Sequence, residues 1–187
     1  MDKNSSPRLE DDQKERISLL IERRVPWLFV GLIGGIVAAI FSSQFEEVLA
    51  RNLSLAYFIP VIVYMADAVG TQTEEVYIRN LGKEKIHFAK YLLKEILLGL
   101  ALGIIFGICF GVFGLIWFKS ASIALTVGIA VFTSMAVAPA IALIMPTFLK
   151  KVHKDPALGS GPFTTILQDL ISLSIYFLIA SVIIFRV

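Results

Sequence analysis

Two aspartates lie inside stretches of sequence that are apolar enough to enter a membrane. Asp67 follows an apolar run that begins near Leu53, and Asp169 lies in the last apolar stretch of the chain. An ionised carboxylate at the centre of a spanning helix costs about 2.5–3.5 kcal/mol on insertion scales, so such residues tend to face a bundle interior or water. The two carboxylates are therefore the first candidates for functional groups.

Polar residues recur around both aspartates at the spacing of a helix face. Positions three, four and seven residues apart lie on one side of an α-helix. The residues at these offsets are Pro162, Thr165, Ser172 and Tyr176 around Asp169, and Pro60, Tyr64, Thr71 and Glu74 around Asp67. Each set predicts a polar stripe along an otherwise apolar helix.

The helix that carries Asp67 is also expected to be irregular. Pro60 and Gly70 bracket its polar stripe, and we expect them to break or bend the helix and to free backbone carbonyls as further oxygen ligands. Carboxylate, hydroxyl and carbonyl oxygens are the donors that hard cations prefer, which indicates Mg²⁺ or Ca²⁺, or Mn²⁺ among the transition metals.

The elements that position these residues follow from composition. The chain has 187 residues, of which 57% are hydrophobic and 17% charged, with a mean hydropathy of +0.79, and this balance is typical of an integral membrane protein. A spanning helix needs about 20 apolar residues. Five runs satisfy this, at 26–49, 53–78, 91–118, 121–149 and 162–185. The prediction is an all-α membrane domain over 25–187, preceded by a cytoplasmic tail over 1–24.

The basic residues predict how the spans are oriented. Fourteen of the 17 Lys and Arg residues lie in the tail, in the connection between the second and third spans, or in that between the fourth and fifth. Positively charged loops stay in the cytoplasm, so we expect a cytoplasmic N-terminus and an external C-terminus. The first span has a poor cleavage site at its end and is expected to remain as a helix rather than to be removed as a signal peptide.

Small residues recur every four positions in two spans. Such a stripe lets two helix backbones approach closely where lipid offers no hydrophobic driving force. The stripes are Gly31, Gly35 and Ala39 in the first span and Gly99, Gly103, Gly107 and Gly111 in the third. Both are interpreted as helix-packing surfaces. In the tail, 12–24 could form a helix with one apolar face, either a surface helix or a solvated lead-in to the first span.

The residues around the two aspartates resemble those of the MgtE family of magnesium channels. The resemblance covers the transmembrane domain and runs over most of the chain. In the second span, Pro60, Gly70, Gln72 and Arg79 match the family pattern, whose Gly-Gly-Asn portion is replaced here by Ala66-Asp67-Ala68. Matches elsewhere are Lys94-Glu95, Asp155-Pro156-Ala157-Leu158 and Asp169.

The resemblance implies a homodimer of five-span protomers with an ion path lined by the second and fifth spans. It implies that Asp169 contacts a largely hydrated Mg²⁺. Three positions depart from the family: Gly161 and Pro139 replace asparagines, and Asp67 adds a carboxylate. These departures leave Mn²⁺, Co²⁺ or Ca²⁺ possible as the ion. The family's cytoplasmic sensor domains are not expected here, and a separate regulatory chain could replace them.

Taken together, the stripes and the resemblance give two sets of candidate residues. The predicted metal ligands are Asp169, Asp67, Thr165, Glu74, Gln72 and Ser172. The predicted pore-lining residues are Pro60, Tyr64, Gly70, Thr71, Gly161, Pro162 and Tyr176. The role of Glu95 stays open between the pore and the membrane interface.

The function predicted from the sequence is divalent cation transport in a prokaryotic plasma membrane, with Mg²⁺ as the first choice and no organic cofactor. The expected partners are lipid, the ion and a second copy of the chain, with no nucleic acid. A carrier coupled to Na⁺ or H⁺ is one alternative. Others are a structural membrane subunit and an intramembrane aspartyl protease, although Ile166-Leu167-Gln168-Asp169 lacks the Gly-x-Gly-Asp sequence usual in such proteases. We predict that the chain is not an enzyme.

Overall fold

The computed structural model describes residues 16–81, 87–152 and 156–186, and within these ranges the chain forms helices and no strands. The all-α prediction is therefore confirmed. The helices are α1 (Ile17–Ser43), α2 (Glu46–Arg51), α3 (Ile59–Leu81), α4 (Phe88–Phe118), α5 (Ala121–Lys151) and α6 (Pro156–Arg186), with a 3₁₀ helix over Leu53–Phe58 between α2 and α3.

Five of these segments are long and apolar enough to cross a membrane: α1, α3 together with the 3₁₀ helix, α4, α5 and α6. This confirms the predicted number of spans. The first span ends at Ser43 rather than at residue 49, because a turn at Gln44 and Phe45 separates it from α2. The Ser43 hydroxyl donates to the Ile40 carbonyl at 2.8 Å, and the Gln44 N–H donates to the Phe41 carbonyl at 3.1 Å.

The predicted tail helix over 12–24 is only partly within the described residues. From Ile17 onward it forms the first turns of α1 and continues into the membrane span without interruption. Its earlier part, and the rest of the tail over 1–15, lie outside the described residues.

Helix α5 lies at the centre of the bundle and packs against α3, α4 and α6. In its most apolar window 56% of the residues are buried, whereas for α1 the figure is 6%. Helix α1 contacts the bundle through α6, where the rings of Trp27 and Phe163 meet edge to face at 5.9 Å. The protein is thus a four-helix bundle with α1 attached to its side.

The glycines of α4 make the close helix contact that their spacing predicts. A Cβ added at Gly99, Gly103 or Gly107 would lie 2.7 Å from a backbone carbonyl oxygen of α5. Real Cβ atoms essentially never approach other atoms within 3.0 Å, so the two backbones are too close for any side chain at these positions. The packing prediction for the third span is confirmed.

The small residues of α1 do not behave in this way. A Cβ added at Gly31 or Gly35 would meet nothing within 4 Å, and Ala39 is exposed. Within the described residues, Gly34 makes the close contact instead, because it faces Ile166 of α6. The expectation that the stripe of Gly31, Gly35 and Ala39 packs within this bundle is therefore wrong.

Helix α5 contains a proline opposite one of the α4 glycines. Pro139 has no N–H, so the Met135 carbonyl one turn earlier loses the donor that it would have in a regular helix. Gly99 of α4 is the residue that lies against this carbonyl, and a Cβ there would also lie 2.9 Å from the Pro139 ring. The missing side chain of Gly99 thus makes room for both groups.

Candidate cation site on helices α3 and α6

The two aspartates lie on neighbouring helices at the same part of the bundle. Asp67 of α3 and Asp169 of α6 are both half-buried, and they are close enough for each to affect the other electrostatically. The Thr165 hydroxyl of α6 is a hydrogen-bonding neighbour of the Asp67 carboxylate. No Lys or Arg in the described part of the chain interacts with either carboxylate. The negative charge of this pair is therefore not balanced by any Lys or Arg of the described ranges.

These groups continue into an exposed polar strip on the surface of the bundle. Thr71, one turn beyond Asp67, is exposed, and so is Thr165, one turn before Asp169. We refer to Asp67, Thr71, Thr165 and Asp169 as the acidic face. Its oxygen atoms are carboxylates and hydroxyls, which are ligands for hard cations.

Several other residues predicted from the sequence are accessible on α3 and α6. Tyr64 is 70% exposed. Three further predicted residues are also exposed, namely Pro60, Gln72 and Gly161, and Pro162 is half-buried. They leave one side of α3 and of α6 uncovered within the single protomer.

The remaining predicted residues lie inside the protomer. Ser172 is buried and its hydroxyl donates to the Gln168 carbonyl of the same helix. Tyr176 is fully buried, and its hydroxyl donates to the Leu55 carbonyl at 2.6 Å. Helical spacing alone places Tyr176 on the side of Asp169, but at that level the 3₁₀ helix covers α6. The structure thus separates Tyr176 from the acidic face.

Gly70 and Glu74 of α3 are also buried, and both face α6. The expected break in this helix is absent, since α3 runs without interruption from Ile59 to Leu81. Pro60 is the second residue of the helix, where its missing N–H has no intrahelical role. Gly70 leaves space for the Gln168 side chain rather than interrupting the backbone. The prediction of carbonyl ligands freed by a helix break is therefore wrong.

Two further polar groups are buried: Glu95, whose role the sequence left open between the pore and the membrane interface, and Gln168, which was not predicted as a site residue. The Glu95 carboxylate of α4 is 6% exposed and accepts a hydrogen bond of 3.0 Å from the Thr73 hydroxyl of α3, on a different side of α3 from the acidic face. Gln168 of α6 is 1% exposed, and neither atom of its amide has a hydrogen-bond partner. The sequence signal was available, because both are polar residues within apolar spans.

The fold and these polar groups define an integral membrane protein of five helical spans in which carboxylates and hydroxyls converge on one side of two helices. The family model described as "MgtE: Divalent cation transporter" matches residues 59–179, which include α3, α4, α5 and most of α6. The chain belongs to the MgtE family, as the resemblance indicated.

Curated bacterial relatives support the same assignment. The chain is 32% identical over 162 residues to a protein of Bacillus subtilis and 33% identical over 162 residues to one of Enterococcus faecalis, each named magnesium transporter MgtE. The protein of that name in Thermus thermophilus is 28% identical over 161 residues.

The first two matches cover 85% of this chain but 36% of each relative, so the chain spans about a third of their length. Together with the five apolar helices, these relatives confirm the prediction of an integral prokaryotic membrane protein. The family is one of transporters, which agrees with the prediction that the chain is not an enzyme.

Proposed function

We propose that the chain transports divalent cations, with Mg²⁺ as the principal ion, along a path that two copies of the chain form between their acidic faces. The observation that carries the proposal is the position of Asp67 and Asp169, which lie half-buried on a side of α3 and α6 that no described helix covers. Membership of a family of divalent cation transporters supports it.

The energetics of the membrane favour a wet path at this face. Charged side chains within spans are rarely exposed to lipid and almost always face a bundle interior or a water-filled cavity. If the acidic face of one protomer meets that of a second, related by a two-fold axis, all four carboxylates are removed from lipid. A two-fold interface of this kind is the commonest arrangement in homo-oligomers.

The ligand chemistry favours a hydrated ion. Mg²⁺ gives up its water reluctantly and is usually bound through one or two carboxylates while it keeps several water molecules. Asp169 is the proposed direct contact of the hydrated ion, and the Thr165 hydroxyl lies beside the neighbouring Asp67 carboxylate, where it can donate to it. Asp67 raises the negative potential of the path. Because this carboxylate strengthens attraction without imposing octahedral geometry, we expect Mn²⁺ and Ca²⁺ to compete with Mg²⁺.

The test is uptake of Mg²⁺ into liposomes that contain the purified protein and a Mg²⁺-sensitive dye. We expect Asp169→Asn to lower the initial rate by at least about tenfold, which corresponds to the loss of about 1.4 kcal/mol of ion stabilisation. Asp67→Asn should lower it less and should weaken the competition by Mn²⁺ and Ca²⁺. Glu46→Gln is the matched control, because Glu46 is an exposed carboxylate on α2, away from the acidic face.

An unchanged rate in Asp169→Asn would contradict the assignment of Asp169 to the path. The same assay separates a channel from a coupled carrier. A rate that depends on an imposed Na⁺ or pH gradient, at constant Mg²⁺ gradient and membrane potential, would identify a carrier.

A further inference from the structure

A second polar cluster lies inside the protomer, between α3 and α6, and is separate from the acidic face. It consists of the Glu74 carboxylate of α3 and of Ser160, Thr164 and Gln168, which follow one another at one-turn intervals along the buried side of α6. Glu74 is 7% exposed and the three α6 residues are 1–2% exposed. The cluster is therefore closed to lipid and nearly closed to solvent.

The cluster is negatively charged, and among the described residues the Glu74 carboxylate has no basic neighbour. The Ser160 and Thr164 hydroxyls face the Glu74 carboxylate, and its charged neighbours are Asp67 and Glu75, which repel it. No Lys or Arg in 16–81, 87–152 or 156–186 is among its interactions. Buried charges in proteins are paired with an opposite charge or coordinate a metal, because an isolated buried charge is strongly unfavourable.

The polar atoms of α6 are also incompletely satisfied. The Gln168 amide packs over Gly70, one turn of α3 from Glu74, and its Oε1 and Nε2 atoms have no hydrogen-bond partner. The Thr164 hydroxyl, between Gln168 and Ser160 on the helix, faces Glu74 but completes no hydrogen bond of normal geometry. A buried amide that lacks partners on both atoms is strongly unfavourable, so a missing ligand for this cluster is indicated.

We propose that this cluster binds one Na⁺ ion within each protomer. The ligands are the Glu74 carboxylate, the Thr164 hydroxyl and Oε1 of Gln168, while the Ser160 hydroxyl, two turns of α6 from Gln168, lies beside the Glu74 carboxylate. A single positive charge balances the one carboxylate, whereas a divalent ion would leave an excess positive charge in a site surrounded by apolar helices. The slot is too closely packed for a hydrated Mg²⁺ ion, since the Gln168 amide already fills the space above Gly70.

This site differs from the proposed transport path because it holds one buried carboxylate inside a protomer, whereas the path has two half-buried carboxylates on the protomer surface. Its residues all belong to one protomer, so it does not depend on the proposed dimer or on Mg²⁺ transport. A bound Na⁺ would join α3 to α6 one to two turns away from Asp67, and would fix the relative position of the two helices that form the acidic face.

The test is binding of ²²Na⁺ to the purified protein, measured by scintillation proximity in detergent with a chelator present to remove divalent ions. Unlabelled NaCl should displace the label and choline chloride at equal ionic strength should not. Glu74→Gln should weaken Na⁺ binding by at least about tenfold, because a charged ligand is lost while the shape is kept. Thr164→Val, which removes one neutral ligand without changing the size of the side chain, should weaken it by a smaller factor.

Glu75→Gln is the matched control, since Glu75 is the adjacent carboxylate but is exposed. It should change Na⁺ binding by no more than about twofold, because an exposed charge acts only through solvent-screened attraction. Equal Na⁺ binding in wild type and Glu74→Gln would overturn the proposal. So would the absence of ²²Na⁺ binding to the wild-type protein, which is the result expected if Glu74 carries a proton instead.

The outcome is distinguishable from that of the transport experiment. Wild-type protein that fails to bind Na⁺ but retains Asp169-dependent Mg²⁺ uptake would overturn the Na⁺ site alone. Protein that binds Na⁺ through Glu74 but shows no Mg²⁺ uptake would support the Na⁺ site and contradict the proposed transport function.

Discussion

Gly70 allows a close contact between α3 and α6, and replacing it with alanine tests whether that contact sets the geometry of the acidic face. A Cβ at this position would overlap Cδ, Oε1 and Nε2 of Gln168, well inside the 3.0 Å limit that real Cβ atoms respect. Because Gln168 is 1% exposed, its amide cannot move into solvent. Either the side chain leaves its favoured rotamer or the two helices move apart.

The change in the free energy of unfolding on replacing Gly70 by alanine is the balance of an overpacking cost and a gain in helix propensity. Overpacking of a well-packed site costs about 1–3 kcal/mol. Replacing glycine by alanine within a helix contributes about 1 kcal/mol in the opposite direction. Gly70→Ala should therefore lower the free energy of unfolding by about 0–2 kcal/mol. Gly35→Ala provides the control, because a Cβ there meets nothing within 4 Å, and the difference between the two variants should be about 1–3 kcal/mol.

The assay is reversible unfolding in mixed detergent micelles, followed by circular dichroism, with Mg²⁺ uptake measured on the same preparations. Asp169 directly follows Gln168, so a displaced α6 should also reduce Mg²⁺ uptake in Gly70→Ala but not in Gly35→Ala. Adding Gln168→Ala to Gly70→Ala removes the overlapping atoms and should recover part of the lost stability, giving a coupling of about 1–3 kcal/mol between the two positions. Equal stability of Gly70→Ala and Gly35→Ala, or a double variant whose losses simply add, would refute this reasoning.

Two further predictions concern contacts on other sides of the bundle. Thr73→Val removes the hydroxyl that donates to the buried Glu95 carboxylate, and it should lower the free energy of unfolding by about 1.5–3 kcal/mol in the same assay. Thr71→Val, at an exposed position of the same helix, should change this free energy by less than about 0.5 kcal/mol. A smaller effect of Thr73→Val than of Thr71→Val would contradict the hydrogen bond between Thr73 and Glu95. Gly103→Val places a side chain against the Phe132 carbonyl, 2.7 Å from the new Cβ, and should lower the midpoint of thermal unfolding. Gly31→Val, whose Cβ meets no atom within 4 Å, should leave this midpoint nearly unchanged, and a similar loss in both variants would show that α4 and α5 are not in close contact.

The architecture was predictable because its signals are local. Each span is long and apolar, and the third-span glycines repeat at a spacing that brings two backbones together, so both features follow from the sequence without knowledge of the neighbours. The same spacing gave a wrong prediction of close packing for Gly31 and Gly35. A stripe of small residues shows that a helix can pack closely, but it does not show which helix it meets. Within the described residues, α1 makes its close contact through Gly34 instead.

The site was only partly predictable for a related reason. Helical offsets from Asp67 and Asp169 identified the side of each helix, but the depth at which a neighbour covers that side depends on tertiary packing. Tyr176 is therefore in the core, where the 3₁₀ helix accepts its hydrogen bond, although it lies seven residues from Asp169. Gln168 was not predicted because an amide carries no charge, and its importance becomes visible only when the structure shows that both of its amide atoms lack hydrogen-bond partners.

The contact between Gly99 and Pro139 has an evolutionary consequence. The proline exposes the Met135 carbonyl towards α4, and the glycine Cα can offer it a weak C–H···O interaction in place of the missing N–H donor. A mutation that gives Gly99 a side chain would strand that carbonyl and collide with the ring, so the two positions are expected to covary. A homologue with an ordinary helix-forming residue at the position of Pro139 keeps the N–H donor for this carbonyl, and there the glycine is required only by the close approach of the two backbones.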